Sequence, residues 1–134
     1  PSVAAEFAKA LKLKTTRRDG YMESENAIVT WCVGHLVTMS YPECYDEKYK
    51  KWNLRDLPFI PQGQWKYEVI PGVKKQFNIV KEILNRDDVD TIYVCTDSGR
   101  EGEYIYRLVA RELKAKKRSE YGLIPRLRKK FFVE

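Results

Sequence analysis

Thr96-Asp97-Ser98-Gly99-Arg100-Glu101-Gly102-Glu103 follows the apolar run Thr91-Ile92-Tyr93-Val94-Cys95 and leads into Tyr104-Ile105-Tyr106-Arg107-Leu108-Val109. The run is short, β-branched and continuous, the pattern of a strand buried on both faces. Beyond it, Ile105, Leu108, Val109 and Leu113 fall at i, i+3, i+4 and i+8, one face of a helix. Three carboxylates, an arginine and two glycines therefore stand where a strand ends and a helix begins. Open α/β sheets bind their ligands at that edge, outside the carboxyl ends of the strands. Carboxylates alternating with small residues suit a hard divalent cation held through oxygen, with Mg²⁺ the first choice. Arg100, beside the free amides of a helix N-terminus, suits a phosphate. Asp97, Glu101 and Glu103 are the candidate metal ligands, and Asp97, Arg100 and Glu101 the candidate catalytic group. The plainer alternative is a helix whose acidic first turn complements the macrodipole and does nothing more. Gly99 and Gly102 speak against it, because glycine weakens a helix and needs another reason to be there.

The chain has 134 residues, enough for one domain with a real core. Hydrophobic residues make up 43% and charged residues 33%, which describes a globular chain rather than a disordered one. No apolar run approaches the roughly 20 residues that cross a bilayer, and the start carries no signal-peptide pattern. Cys32, Cys44 and Cys95 are far apart and include no Cys-x-x-Cys pair. Reduced thiols in a cytoplasm, and no structural zinc, are the expectation.

The net charge of +6 is unevenly spread. From Tyr104 onward there are ten Lys or Arg against three Glu, with Lys114, Lys116, Lys117 and Arg118 in one cluster and Arg126, Arg128, Lys129 and Lys130 in another. Such runs are commonly a solvated face. Beside a candidate phosphate site they favour a polyanionic partner held mainly through its backbone, with Lys129 and Lys130 as candidate contacts.

Periodicity predicts a helix over 2–12, a basic turn over 14–18, and strands over 21–23 and 27–33 joined through Ser24-Glu25-Asn26. Residues 40–64, punctuated by Pro42, Pro58, Pro61 and Gly63, read as a long ordered loop. A strand over 65–70 stops at Pro71-Gly72, and a helix follows over about 74–86. The central strand, a basic helix to about 117 and a strand near 130–133 complete the chain. Alternation in the second half predicts a mostly parallel sheet with helices on both faces. Trp31, Trp52 and Trp65 are expected to pack in the core rather than stack on bases.

The acidic segment also resembles the motif of Toprim domains as found in type IA DNA topoisomerases, usually Asp-x-Asp-x-Glu-Gly-Glu. Asp97 and Glu101 match residue by residue and Glu103 matches the trailing glutamate. Gly99 stands at the second aspartate, leaving one fewer carboxylate for a second ion. Pro1-Ser2-Val3-Ala4 is similar to the start of the family's first helix, after a Glu-Lys-Pro-Ser motif. Thr30-Trp31-Cys32-Val33-Gly34-His35-Leu36-Val37 resembles its Gly-His-Leu segment, which makes His35, like Arg100, a candidate for a role near the DNA. Lys51-Trp52, Leu57-Pro58-Phe59-Ile60-Pro61 and Lys75-Gln76-Phe77 resemble the bacterial topoisomerase III branch.

The resemblance implies a Rossmann-like Toprim α/β domain over 1–134, with a β-hairpin and a long loop insertion. A first strand and a catalytic Glu-Lys pair are expected upstream of Pro1, and the DNA-attacking tyrosine in a downstream domain. By the same resemblance, the parent cleaves one strand of single-stranded or underwound DNA, passes another and reseals, without ATP, in a bacterial cytoplasm at the nucleoid. The Toprim carboxylates would bind Mg²⁺ and position the scissile phosphate, and Glu101 could exchange a proton with the 3′-hydroxyl. The fragment alone would be inactive; its partners would be DNA and the parent's other domains, with no membrane. The acidic motif also admits a Toprim primase or nuclease, and Gly99 a non-catalytic DNA-binding module of a recombination mediator. The primase reading lacks zinc cysteines, and the 27–64 motifs favour topoisomerase over both.

Overall fold

The computed structural model describes residues 1–97 and 99–113, and the backbone of 118–121. Helix α1 (Ser2–Ala10) is followed by three short antiparallel strands, β1 (Thr16–Arg18), β2 (Tyr21–Glu23) and β3 (Ile28–Thr30). Met22 lies opposite Val29, and both are buried against Ala4 and Ala8 of α1. Strand β1 occupies residues read as a basic turn. It is an edge strand with all three side chains exposed, so it has no apolar alternation to betray it. Its register, Arg18 opposite Tyr21, leaves Asp19-Gly20 as the two-residue connection, a dipeptide that does signal hairpins.

Strand β4 (Val37–Met39) pairs antiparallel with β5 (Tyr67–Val69). The segment between them carries three short 3-10 turns, Pro42–Cys44, Glu47–Lys50 and Leu54–Asp56. Phe59 is the hub of this insertion, with the rings of Tyr45, Tyr49 and Trp65 at centroid distances of 5.2, 4.8 and 6.5 Å. The expected long ordered loop is therefore ordered by its own aromatic cluster. The tryptophans divide. Trp31 is buried, whereas Trp65 and Trp52 are exposed, at 41% and 77%, contrary to the core packing expected of them.

Helix α2 (Lys74–Leu84) buries Phe77, Val80, Ile83 and Leu84, the stripe that its 3.6-residue periodicity requires. Lys75-Gln76-Phe77 fastens it to the first sheet. Gln76 donates to the carbonyls of Gly20 (3.0 Å) and Trp31 (2.7 Å), and Lys75 pairs with Asp19 at 2.7 Å. At the other end Arg86 bridges Asp88 and Glu23, and those two carboxylates raise its already high pKa.

Strand β6 (Thr91–Val94) then runs between two cores. Ile92 and Val94 join Leu36, Val37, Phe77, Val80, Tyr106, Leu108 and Val109 on one side. Tyr93 and Cys95 face the cluster built on α1, Met22, Val29 and Trp31. Period-two alternation across a strand covered on both sides is why its sequence is continuously apolar. Helix α3 (Arg100–Glu112) follows, and β7 (Arg118–Tyr121) pairs parallel with β6, completing a strand–helix–strand unit. It is the sole parallel pair among the described residues; the wider parallel sheet expected from the sequence is not among what they show. The strand expected near 130–133 and the end of the basic helix lie outside them.

Candidate functional site

The site is built on the turn between β6 and α3. Gly99 is the N-cap of α3, in ordinary extended backbone (φ −81°, ψ 170°), and a Cβ there would meet nothing within 4 Å. Gly102 is different. A Cβ at this position would lie 2.2 Å from the carbonyl oxygen of Asp97 and 2.6 Å from its nitrogen. The backbone of Asp97 thus rests on the first turn of α3, and the missing side chain of Gly102 is what lets it approach. The end of the β6 segment and the start of α3 therefore meet at one corner, with Asp97, Arg100 and Glu101 exposed.

The second wall comes from the Gly34-His35-Leu36 segment. Gly34 adopts φ +65°, a left-handed turn that favours glycine. Leu36 and Val37, immediately beyond, are fully buried, and β4 packs on α3. Anchored on both sides, His35 projects to the first turns of α3. Its Nε2 lies 3.2 Å from Glu101 Oε2, and its ring meets that of Tyr104 edge-on at 6.0 Å. An ionised carboxylate only accepts hydrogen bonds, so Nε2 carries the proton and donates it. Partial burial, with the Tyr67 phenol and the Glu101 carboxylate nearby, raises the pKa of Tyr104 above the ordinary phenol value. Arg111 lies over the Tyr67 ring at 4.7 Å, extending this wall along the helix.

Glu103 turns elsewhere. Residues two apart on a helix point to different sides, and Glu103 holds Arg107 one turn on, at 2.8 Å to Nε and 2.6 Å to Nη2. Among the described residues no three His, Cys, Asp or Glu side chains converge into a ready-made metal cage. Of the candidates, His35 and Glu101 are in contact, the Asp97 backbone rests on the first turn of α3, Arg100 is exposed as the first residue of that helix, Glu103 is engaged on the helix flank, and Lys129 and Lys130 lie outside the described residues. Tyr104 and Tyr67 escaped sequence reading because ordinary aromatic residues at helix and strand positions carry no spacing signal.

Over residues 1–131 the sequence matches the Toprim domain. The chain belongs to the Toprim family. Over 117 residues, 87% of its length, this Toprim domain is 50% identical to DNA topoisomerase 3 of Bacillus cereus ATCC 14579 and to that of Bacillus anthracis. It is 44% identical, over the same length, to DNA topoisomerase 3 of Staphylococcus haemolyticus. Each match covers 16% of the relative, so the chain spans about a sixth of the length of these proteins.

Proposed function

We propose that this Toprim domain serves a type IA DNA topoisomerase of the topoisomerase 3 kind, with Asp97 and Glu101 holding Mg²⁺ beside the scissile phosphate. The observation that carries the reading is the corner itself. Asp97 is locked against Gly102 at the carboxyl end of β6, and Glu101 is held by His35 on the adjoining turn. The donor set fits a hard cation: exposed carboxylates with room for water, and no thiolate among them. When bound, the ion would neutralise charge developing on the transferring phosphoryl group. Arg100, at the helix start, supports the same phosphate with charge-assisted hydrogen bonds, and the amides of the first turn add their dipole. With two carboxylates in place, most of the ion's shell is water and binding is weak. Glu103 is assigned to the helix surface, through Arg107, rather than to the ion.

Titration of the chain with Mg²⁺ or Mn²⁺ tests this assignment, and Gly99→Asp sharpens it. The position is the N-cap, its backbone suits any L residue, and the space is open. Capping adds a few tenths of a kcal/mol. A further carboxylate near a divalent ion is worth about 1–2 kcal/mol at exposed sites, so affinity is expected to rise on the order of tenfold. An unchanged titration would place the ion elsewhere.

We further propose that the basic excess after Glu103 binds the DNA backbone without sequence preference. If about four cations are engaged, affinity falls about a hundredfold between 50 and 200 mM salt. A flat salt titration excludes this mode.

A further inference from the structure

We infer that His35 is a positioning residue for Glu101, dictating which carboxylate oxygen is offered to the metal and the phosphate, rather than a DNA contact. The inference rests on the proposed metal role of Asp97 and Glu101. Glu101 is a long side chain, 82% exposed, on the first turn of a helix, and without a partner it would sample several rotamers. Among the described residues, the hydrogen bond that restrains it comes from a residue 66 positions earlier in the chain.

That partner is itself restrained from three directions. Leu36, the next residue, is fully buried, Gly34 on the other side sets the left-handed turn, and the edge of the Tyr104 ring closes on the imidazole. Tyr104 lies one turn after Glu101 on α3, so the histidine is seated on the same helix that carries the carboxylate. A side chain meant to reach DNA phosphates would be a cation turned to solvent rather than one tied to a carboxylate. His35 is instead held in one orientation with Nε2 donating to Oε2. This occupies Oε2, so that Oε1 is the oxygen left for a metal ion under the proposed role. Residues that hydrogen-bond a metal-holding group in this way typically govern about 10–100-fold of metal affinity.

The test is a set of Mn²⁺ and Mg²⁺ titrations by calorimetry on the whole chain and its variants, paired with metal-free binding to a DNA oligonucleotide across a salt series. His35→Ala is expected to weaken metal binding about tenfold or more, with the oligonucleotide affinity and its salt slope unchanged. His35→Gln, which keeps an N–H donor at similar reach, restores most of the loss. In a Glu101→Gln background, His35→Ala has no further effect on metal affinity.

If His35→Ala lowers metal-free DNA affinity and reduces the salt slope by about one, while metal affinity holds, the residue is a phosphate contact and the inference fails. If the losses from His35→Ala and Glu101→Gln multiply, His35 acts independently of Glu101 and the inference also fails. If Glu101→Gln itself leaves metal binding untouched, the underlying metal assignment falls, and the positioning role with it. Thermal unfolding of each variant separates these outcomes from loss of the fold.

Discussion

In a full-length topoisomerase carrying this domain, Glu101→Gln is expected to reduce supercoil relaxation by about two to three orders of magnitude while leaving folding intact. The substitution keeps the size of the side chain, and even keeps an oxygen for the Nε2–H of His35, so the contact at 3.2 Å has a successor. What is lost is the charge. Stabilising a transferring phosphoryl group through a metal ion is worth several kcal/mol, and each ~1.4 kcal/mol is a factor of ten in rate. Glu101 is 82% exposed, so its neutralisation leaves no buried polar group stranded and the melting temperature should move by no more than a degree or two. Raising Mg²⁺ should recover part of the activity if the defect is one of ion binding. Relaxation undisturbed by Glu101→Gln would show that the chemistry lies elsewhere. Equal loss from Glu103→Gln would contradict the placement of Glu103 with Arg107.

Residues 91–113 were legible because two signals agreed there: a run apolar on both faces, and a 3.6-residue stripe after it. Burial of Ile92 and Val94 toward one core, with Cys95 in the other, is the physical origin of the first signal. A window of sequence counts three carboxylates together, whereas helix geometry separates Glu101 from Glu103, and Arg107 pairs with the latter. Strands β1 and β4 were not legible as strands. The first is charged and exposed; the second is three residues long and finds its partner about thirty residues away, a pairing no local pattern announces. The same holds for His35. Its motif marked it as interesting, yet its partner was set by the folding of Leu36 and Val37 beneath α3. Trp52 shows the converse error: a hydrophobicity that suggests burial, on a loop that leaves it exposed.

Gly102→Ala is expected to be among the most damaging single-methyl changes in the domain, and it separates the two explanations for this glycine. On helix propensity alone, alanine should stabilise α3 by about 1 kcal/mol. Against that stands a Cβ placed 2.2 Å from the Asp97 carbonyl oxygen and 2.6 Å from its nitrogen. These are backbone atoms at the end of a strand buried in two cores, so no rotamer change relieves the overlap. Either α3 slides from β6, disturbing Tyr106 and Val109 at 0% exposure, or the Asp97 turn is pushed outward. Overpacking of this kind costs about 3 kcal/mol, so a net loss of about 2 kcal/mol remains after the gain in propensity. For a chain of this size that lowers the melting temperature by roughly 8 °C. Metal affinity should fall with it, since Asp97 is the residue displaced, whereas Gly63→Ala, in open space, should change neither. A stabilised Gly102→Ala variant with unaltered metal binding would mean that the corner is loose, and that glycine there reflects helix chemistry rather than the close approach of the Asp97 backbone.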